Sequence, residues 1–424
     1  MKKRNILLDT FIKQQFNLDE DYIHLSLCLI ASHPSCVQSM IDHYQFQLNR
    51  NPALFYRNKD SLNEKVLQAA ADYLVSHPDN IALTNNTTEG LALVYMGFKL
   101  DAGDEILTSI HDHYASDKIL FFKAKHSRAI VKKIELYKNS AKVTEQEIIE
   151  NIKKNINVKT RLLALTWVHS CTGVKLPVIK IQKLITAINS SRIKHERIIF
   201  SIDAVHGLGV ENFNNVADIG CDFLISGCHK WLHGPRGTGL VWGTEEAWMR
   251  LIPISASFDL PAFLPWRKKA YENTFCPPAR SCNPGGFPNF EYRWALAEAF
   301  HFNNSIGKKV INQKIFLLAD ICKQGLQKIQ GIRLYTPLEK KLSSGLVCFD
   351  VIGCDPTMIV DAMLEKKIMI GQTPYRNSCL RIAPSIINKK EDIYIALEAL
   401  KNIVETSTTG MKDEKHIMHN GYIK

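Results

Sequence analysis

Short apolar runs alternate with longer segments of helical periodicity through most of the chain, and this alternation constrains the fold more than any other feature. Buried strands separated by helices are typical of a mainly parallel sheet that helices cover on both faces. On such a sheet, ligands bind beyond the carboxyl ends of the strands. The predicted strands are residues 81–83, 105–108, 162–166, 198–202, 223–225 and 239–242, and the predicted helices between them include 144–156 and 179–190.

The composition changes at the proline- and glycine-rich stretch 283–288. We therefore expect a large domain over residues 23–290 and a small domain formed by residues 1–22 and 291–407. The polar tail, residues 408–424, is expected to be disordered. The small domain is predicted to be α+β, with helices and strands at residues 290–303, 346–349, 356–366 and 379–382.

One lysine, Lys230, lies between the apolar run 223–225 and a glycine-rich turn that ends at Gly239. Desolvation in a pocket at such a place lowers the pKa of an amine and frees it as a nucleophile; a surface lysine at a strand end is the alternative. An acid, Asp203, ends another apolar run. A lysine and an acid at strand ends of one parallel sheet suit a pyridoxal phosphate site. There the lysine forms a Schiff base with the cofactor, and the acid pairs with the pyridine nitrogen.

A polar turn, residues 84–88, opens into a helical segment with an apolar face. Free backbone N–H groups at a helix start attract a phosphate, and Thr87 and Thr88 add hydroxyl donors. An ordinary N-cap would use the same residue types. A P-loop is excluded because the chain contains no G-x-x-x-x-G-K-[ST] sequence, and Gly207-Leu-Gly209 lacks the third glycine of a dinucleotide-binding fingerprint.

The net charge of +11 is compatible with a nucleic-acid partner. The lysines are spread along the chain with acids between them, in segments taken as helical faces such as Lys132-Lys133, so nucleic-acid binding is not expected. The eleven cysteines include no C-x-x-C pair, which favours a reducing cytosol. With neither a signal-peptide core nor an apolar run of membrane-spanning length, we expect a cytoplasmic protein without a membrane partner.

These and further motifs resemble the class V aminotransferase superfamily of fold-type I pyridoxal phosphate enzymes. Within it they most resemble the isopenicillin N epimerase-like branch, to which cysteine desulfurases are related. The resemblance implies a large domain with a mainly parallel, seven-stranded sheet of the PLP-transferase type, plus a smaller α+β domain. The matching stretches follow the family order: NNTTEG (85–90), HDHYA (111–115), WVHSCTGVKLP (167–177), IDAVHG (202–207), GCHKW (227–231), GPRGTG (234–239), PGGF (284–287) and LRIAP (380–384).

For the reacting end of the cofactor, the resemblance implies three roles. Lys230 matches the aldimine lysine, which also moves protons at the substrate's α-carbon. Asp203 matches the acid that faces the pyridine nitrogen and keeps the ring an electron sink. His206 is implied to lie beside the phenolic oxygen.

The resemblance also implies how the rest of the cofactor is held. Thr87, Thr88 and His229 match phosphate contacts, which are strong because they are charge-assisted. Tyr114 best fits the aromatic side chain that stacks on the ring, although a one-residue shift would give this place to His113. The His-x-His spacing here lacks further ligands, so no metal site is predicted.

For the substrate, the resemblance implies that Arg381 binds the α-carboxylate, since a planar guanidinium fork suits that group. His169 and Ser170 are weaker candidates for lining the pocket. Gly286 belongs to a loop that, by resemblance, reaches a neighbouring subunit's cofactor, and this implies a homodimer with shared active sites.

One departure from the family bears on the reaction. Cysteine desulfurases need a nucleophilic cysteine on a mobile loop before the carboxylate arginine, and the corresponding stretch 368–376 contains none. Cys379 lies only two residues before Arg381 and should be fixed in a strand. We therefore predict an enzyme that acts at the α-carbon of an amino acid or a small derivative of one, as an epimerase or a carbon–sulfur lyase. Aminotransferase or cysteine desulfurase-like activity, and a non-catalytic binding protein, are the alternatives.

Overall fold

The computed structural model describes residues 9–268, 276–375 and 378–419. Its dominant element is a seven-stranded sheet with the strand order β2-β8-β7-β6-β5-β3-β4. All neighbouring strands are parallel except β8, which runs antiparallel to both β2 and β7. After a short strand β1 (Ile23–His24), the strands of this sheet are β2 (Ile81–Thr84), β3 (Glu105–Ser109), β4 (Ile130–Ile134), β5 (Thr160–Thr166), β6 (Ile199–Asp203), β7 (Phe223–Gly227) and β8 (Gly239–Gly243).

Helices cover both faces of this sheet, because successive strand side chains point to opposite sides and both sides are apolar. In β5, Leu163 and Leu165 belong to one buried cluster, while Leu162 and Ala164 belong to another. The helices of the first two thirds of the chain are α1 (Ser35–Arg50), α2 (Pro52–Tyr56), α3 (Lys59–Leu74), α4 (Thr87–Gly97), α5 (Tyr114–Ser127), α6 (Glu145–Asn155), α7 (Val178–Asn189), α8 (Glu245–Trp248), α9 (Leu260–Lys268) and α10 (Pro278–Cys282).

A second, antiparallel sheet forms the core of the C-terminal part, with the order β12-β13-β10-β9 and its own apolar cluster. The short strands β1 and β11 pair in parallel beside it. Its strands and the remaining helices are α11 (Phe290–Ile306), α12 (Lys308–Leu326), β9 (Ile332–Leu334), β10 (Val347–Val351), α13 (Pro356–Glu365), β11 (Ile368–Met369), β12 (Gly371–Gln372), β13 (Leu380–Ile382) and α14 (Lys390–His419).

The predicted α/β class with a large, mainly parallel sheet is confirmed, but three local expectations differ from the structure. Lys132 and Lys133 lie on the edge strand β4, not on a helix, because an edge strand tolerates lysine on its exposed face. Helix α11 packs against α1 and α3, across the boundary expected at residue 290, because its Trp294 and Phe300 are buried in the main core. Helix α14 continues through residues 408–419, where disorder is expected, since Lys and Glu are good helix formers; residues 420–424 lie outside the described residues.

Candidate active site

A cavity of about 200 Å³ opens at the carboxyl ends of the parallel strands. The segments that follow β2, β3, β5, β6 and β7 all reach it, as expected for the ligand site of such a sheet. Its lining side chains are Leu29, Asn86, Thr87, Thr88, Leu91, His113, Ala115, Thr166, Ser170, Asp203, Val205, His206, His229, Lys230, Pro374 and Arg381. A larger groove, of about 630 Å³, lies at the start of α7, but its Lys175 and Glu211 are already paired at 3.0 Å.

Lys230 lies in this cavity with its Nζ 3.4 Å from Nε2 of His206. Burial lowers the pKa of the Lys230 amine and holds the pKa of His206 well below its usual value. The indole N–H of Trp231 donates to Nδ1 of His206 at 3.2 Å. A neutral imidazole whose Nδ1 accepts a hydrogen bond carries its hydrogen on Nε2, so this hydrogen faces Lys230. The lysine amine is therefore placed as an acceptor, in the unprotonated form that a nucleophile needs.

Asp203 ends strand β6 and is 3% exposed. Its Oδ1 accepts the backbone N–H of Val205 at 3.0 Å, and burial raises the pKa of the Asp203 carboxyl to about 6. A buried carboxyl of this kind gains a partner when a protonated ring nitrogen is placed against it. The cavity thus offers a nucleophilic amine and a buried acid on its floor.

The N-terminus of α4 closes one end of the cavity. Asn86 caps this helix, with its side-chain oxygen accepting from Glu89 N at 2.9 Å. The Thr87 hydroxyl accepts the backbone N–H of Gly227 at 2.8 Å, and a Cβ on Gly227 would meet that hydroxyl and the His229 ring at 3.0 and 3.1 Å. Nδ1 of His229 is buried without a partner. Free helix-start N–H groups and an unpartnered imidazole suit a phosphate.

Arg381 comes from β13, on the antiparallel sheet, and its guanidinium enters the same cavity. The side chain is 4% exposed, and its Nε has no hydrogen-bond partner. The ionisable groups that interact with it include the thiols of Cys28 and Cys348 and the phenol of Tyr375. A buried guanidinium among such groups is fitted to receive an anion from outside the protein, because a buried charge needs a counter-ion.

The aminotransferase class-V family model matches residues 31–395 of the chain. The chain belongs to the aminotransferase class-V family. This confirms the predictions of the family, of an enzyme and of pyridoxal phosphate as its cofactor.

Among the similar proteins, a probable cysteine desulfurase of Staphylococcus epidermidis is 23% identical over 94% of this chain and 96% of its own length. One from Haemophilus influenzae is 25% identical over 76% of this chain and 71% of its own length. Among solved structures, a C-DES mutant with glycine covalently linked to the pyridoxal phosphate cofactor superimposes with a TM-score of 0.80 at 18% identity, covering 92% of this chain and 98% of the other.

The cystine C–S lyase C-DES in complex with its product cysteine persulfide superimposes with a TM-score of 0.78 at 19% identity, covering 90% of this chain and 98% of the other. These structures share the fold. The expectation of an isopenicillin N epimerase-like branch finds no support in these relatives, which are named as desulfurases or as a C–S lyase.

Within the class-V fold, most of the predicted site residues meet in the cavity, but Tyr114 does not. It is the first residue of α5 and is 68% exposed. His113 is the N-cap of that helix, its Nδ1 accepts from Ala115 N at 3.2 Å, and its ring lines the cavity. The choice of Tyr114 over His113 is therefore corrected, because the capping residue turns back over the helix start while the next residue points outward.

His169 also lies outside the cavity. Its ring is fully buried, and Nδ1 is 2.8 Å from the Tyr137 hydroxyl. Burial lowers the pKa of His169 to about 3. The chain turns after His169, whose carbonyl oxygen accepts from Gly173 N at 2.8 Å, and Ser170 lines the cavity whereas His169 does not. Its proposed contact with substrate is corrected accordingly.

Three residues with structural importance for the site were missed or undervalued. Asp112 joins β3 to β5 by accepting from Thr166 N at 2.7 Å and from the Ser109 hydroxyl at 2.7 Å. Its local partners, Thr108 and Ser109, precede it in the chain, and no standard turn pattern in the sequence indicates these bonds. The Ser170 hydroxyl lies 2.6 Å from the Tyr375 hydroxyl, and Ser170 lines the same cavity as Arg381. No sequence pattern indicates a contact between residues so far apart in the chain.

Gly286 has a φ of +103°, and no atom lies within 4 Å of the position a Cβ would take. It does not line the cavity of its own chain, so its expected contact with a neighbouring subunit's cofactor stays a prediction. In the described part of the chain, no helix combines the length and apolarity needed to span a membrane. Over the same residues, no group of three His, Cys, Asp or Glu side chains is placed to hold a metal ion.

Proposed function

We propose that this chain is a carbon–sulfur lyase, which cleaves the bond between the β-carbon and the sulfur of an amino acid and releases the sulfur fragment. The main support for this proposal is that one cavity brings together Lys230, Asp203 and Arg381. None of the described residues that line this cavity is a cysteine. The printed names of the relatives, cysteine desulfurase and cystine C–S lyase, support cleavage of the same kind of bond.

The residues of the cavity fit pyridoxal phosphate. Asp203 would face the pyridine nitrogen, His206 the phenolic oxygen, and His113 the flat face of the ring. The phosphate would lie at the start of α4, against Thr87 and Thr88, with the unpartnered Nδ1 of His229 beside it. When bound, the cofactor supplies an electron sink for negative charge that develops at the substrate's α-carbon.

The chain's own side chains would then orient the substrate and move one proton. Arg381 would hold the α-carboxylate in its bidentate fork. The Lys230 amine, whose pKa burial lowers, would take the proton from the α-carbon as general base. After this proton transfer the sulfur fragment would leave the β-carbon, and hydrolysis by one water molecule would release the remaining nitrogen and carbon skeleton as ammonia and a keto acid.

Cysteine desulfurase activity is the second candidate, and the names of the relatives favour it. A desulfurase attacks the substrate sulfur with its own thiol. Cys379 is 3% exposed, and its Sγ lies 3.3 Å from the Cys171 carbonyl oxygen. Cys28 is 2% exposed. Neither thiol reaches the cavity surface, so release of the sulfur fragment agrees better with the site.

A homodimer with shared active sites forms part of this proposal. Phe287, next to Gly286, is 77% exposed and stacks on Tyr56 with ring centroids 5.5 Å apart. An exposed phenylalanine stacked on a half-buried tyrosine is typical of a covered surface, because aromatic side chains are enriched at interfaces. A cytoplasmic location likewise stays a prediction.

The products distinguish the two candidates. A lyase converts cystine and water into cysteine persulfide, pyruvate and ammonia. A desulfurase converts cysteine and an enzyme thiol into alanine and an enzyme persulfide. We expect pyruvate in step with ammonia, no alanine, no activity in Lys230→Ala and full activity in Cys379→Ser. Alanine as the amino-acid product, with activity lost in Cys379→Ser, would show a desulfurase instead.

A further inference from the structure

Tyr375 lies on the loop between β12 and β13, next to Pro374 of the cavity wall. Its hydroxyl is 2.6 Å from the hydroxyl of Ser170, which also lines the cavity. Its ring stands perpendicular to the His113 ring, with centroids 5.9 Å apart and an interplanar angle of 88°. One side chain of the small domain therefore contacts two cavity residues that follow different strands of the large sheet.

The base of this loop is closed by hydrogen bonds around Thr373. Its N–H donates to the Cys379 carbonyl oxygen at 2.9 Å, and its hydroxyl accepts from Cys379 N at 2.9 Å. The Ser378 hydroxyl donates to the Thr373 carbonyl oxygen at 2.7 Å. Arg376, which completes the stretch 368–376, lies outside the described residues. Thr373 thereby anchors the segment that carries Tyr375 to the strand that carries Arg381.

The hydroxyl pair of Tyr375 and Ser170 has one hydrogen to spare. Each hydroxyl carries one hydrogen, and the bond between them uses only one of the two. Burial raises the pKa of Tyr375, so its phenol keeps its hydrogen at neutral pH. With Tyr375 as the donor of this bond, the Ser170 hydrogen is available to an acceptor in the cavity, which Ser170 lines together with Arg381.

We propose that Tyr375 is a positioning residue for the substrate α-carboxylate: its hydroxyl orients the Ser170 hydroxyl, a neutral hydrogen-bond donor that lines the cavity with Arg381, and its ring holds the orientation of His113. This inference rests on the proposed function, since it assigns part of the same site. The proposed arrangement of side chains selects amino acids with a free α-carboxylate over amines that carry the same sulfur group but no carboxylate.

The test compares two ligands that differ in the relevant group. L-Alanine has the carboxylate but no sulfur, whereas cysteamine has the sulfur but no carboxylate. Dissociation constants are measured for both from the change in the visible band of the cofactor-loaded protein, in wild type, Ser170→Ala, Tyr375→Phe and Tyr375→Ala. Tyr394→Phe is the matched control, because Tyr394 is a surface tyrosine of α14 that is 55% exposed.

Loss of one hydrogen bond to a charged group corresponds to roughly tenfold to hundredfold weaker binding. We expect Ser170→Ala, which removes the donor, to weaken binding of L-alanine by about this factor, and Tyr375→Phe, which removes only the hydroxyl that orients it, by roughly two- to tenfold. Binding of cysteamine should weaken by less than about twofold in both variants, and Tyr394→Phe should behave like wild type. Tyr375→Ala should in addition shift the position of the visible band before any ligand is added, because His113 loses its neighbour. The Phe variant should keep the wild-type band.

Equal affinity for L-alanine in wild type and Tyr375→Phe would overturn the assignment. A loss of affinity for cysteamine alone would overturn it as well. The double variant Ser170→Ala/Tyr375→Phe should bind L-alanine no more weakly than the weaker-binding of the two single variants does, because the two hydroxyls act as a unit. Since L-alanine binding involves no sulfur, its result is independent of the product analysis. Failure of this inference and failure of the lyase proposal are thereby separate outcomes.

Discussion

Arg381 gives the sharpest prediction, because its substitution should weaken substrate binding while stabilising the protein. The guanidinium is 4% exposed and its Nε has no partner. A bound α-carboxylate would receive two charge-assisted hydrogen bonds, each worth about 1.5–3 kcal/mol. Arg381→Met should therefore weaken L-alanine binding by about two orders of magnitude or more. Replacing a buried charge that lacks a counter-ion by an apolar side chain should raise the free energy of unfolding by about 1 kcal/mol.

The assay pairs the visible-band titration with urea unfolding of the cofactor-free protein. Arg381→Lys keeps the charge without the planar fork and should bind with intermediate affinity. Arg333→Met is the matched control, since Arg333 is an exposed arginine of β9 on the same sheet. Less than about tenfold weaker binding in Arg381→Met, or a clear loss of stability, would refute the assignment of this side chain to the carboxylate.

Three further predictions follow from the geometry of the site. His113→Ala should weaken cofactor binding by roughly two- to tenfold, which is the contribution of one aromatic stack, whereas Tyr114→Ala should leave cofactor binding unchanged. If Tyr114→Ala weakens binding and His113→Ala does not, the stacking role belongs to Tyr114. In the cofactor-free protein, burial raises the pKa of Asp203 to about 6, so the folded state holds its proton longer than the unfolded chain does. The free energy of unfolding should therefore fall by about 2 kcal/mol more in wild type than in Asp203→Asn as the pH rises from about 4 to 6, and parallel curves would contradict this. Phe287→Asp should shift sedimentation from dimer to monomer and lower turnover; an unchanged dimer would exclude this loop from the interface.

Much of the fold could be predicted from the sequence, because buried parallel strands are continuous apolar runs. The strand over 162–166 and the helix over 179–190 lie within a residue or two of β5 and α7. Strand β4 escaped prediction because it is an edge strand with a half-exposed burial pattern and two central lysines, which resembles a helical face. Its place in the sheet follows from pairing with β3, a tertiary contact.

Site residues could be predicted where they lie at or just after the end of a strand of the large sheet, as Asp203 and Lys230 do. Residues that depend on the exact turn geometry could not. Tyr114 and His113 differ by one position, and only the start of α5 decides which ring faces the cavity. Tyr375 approaches Ser170 across 205 residues of chain, so no local pattern could indicate it.

The assignment of Lys230 as the lysine that binds the cofactor is tested most directly by locating the cofactor on the chain. The holoprotein is reduced with borohydride to fix the cofactor to its lysine, digested, and its peptides are analysed by mass. We expect modification of Lys230 alone among the lysines of the chain, and loss of both the modification and the visible band in Lys230→Ala. Modification of another lysine in the wild-type protein, or a visible band that survives in Lys230→Ala, would contradict it.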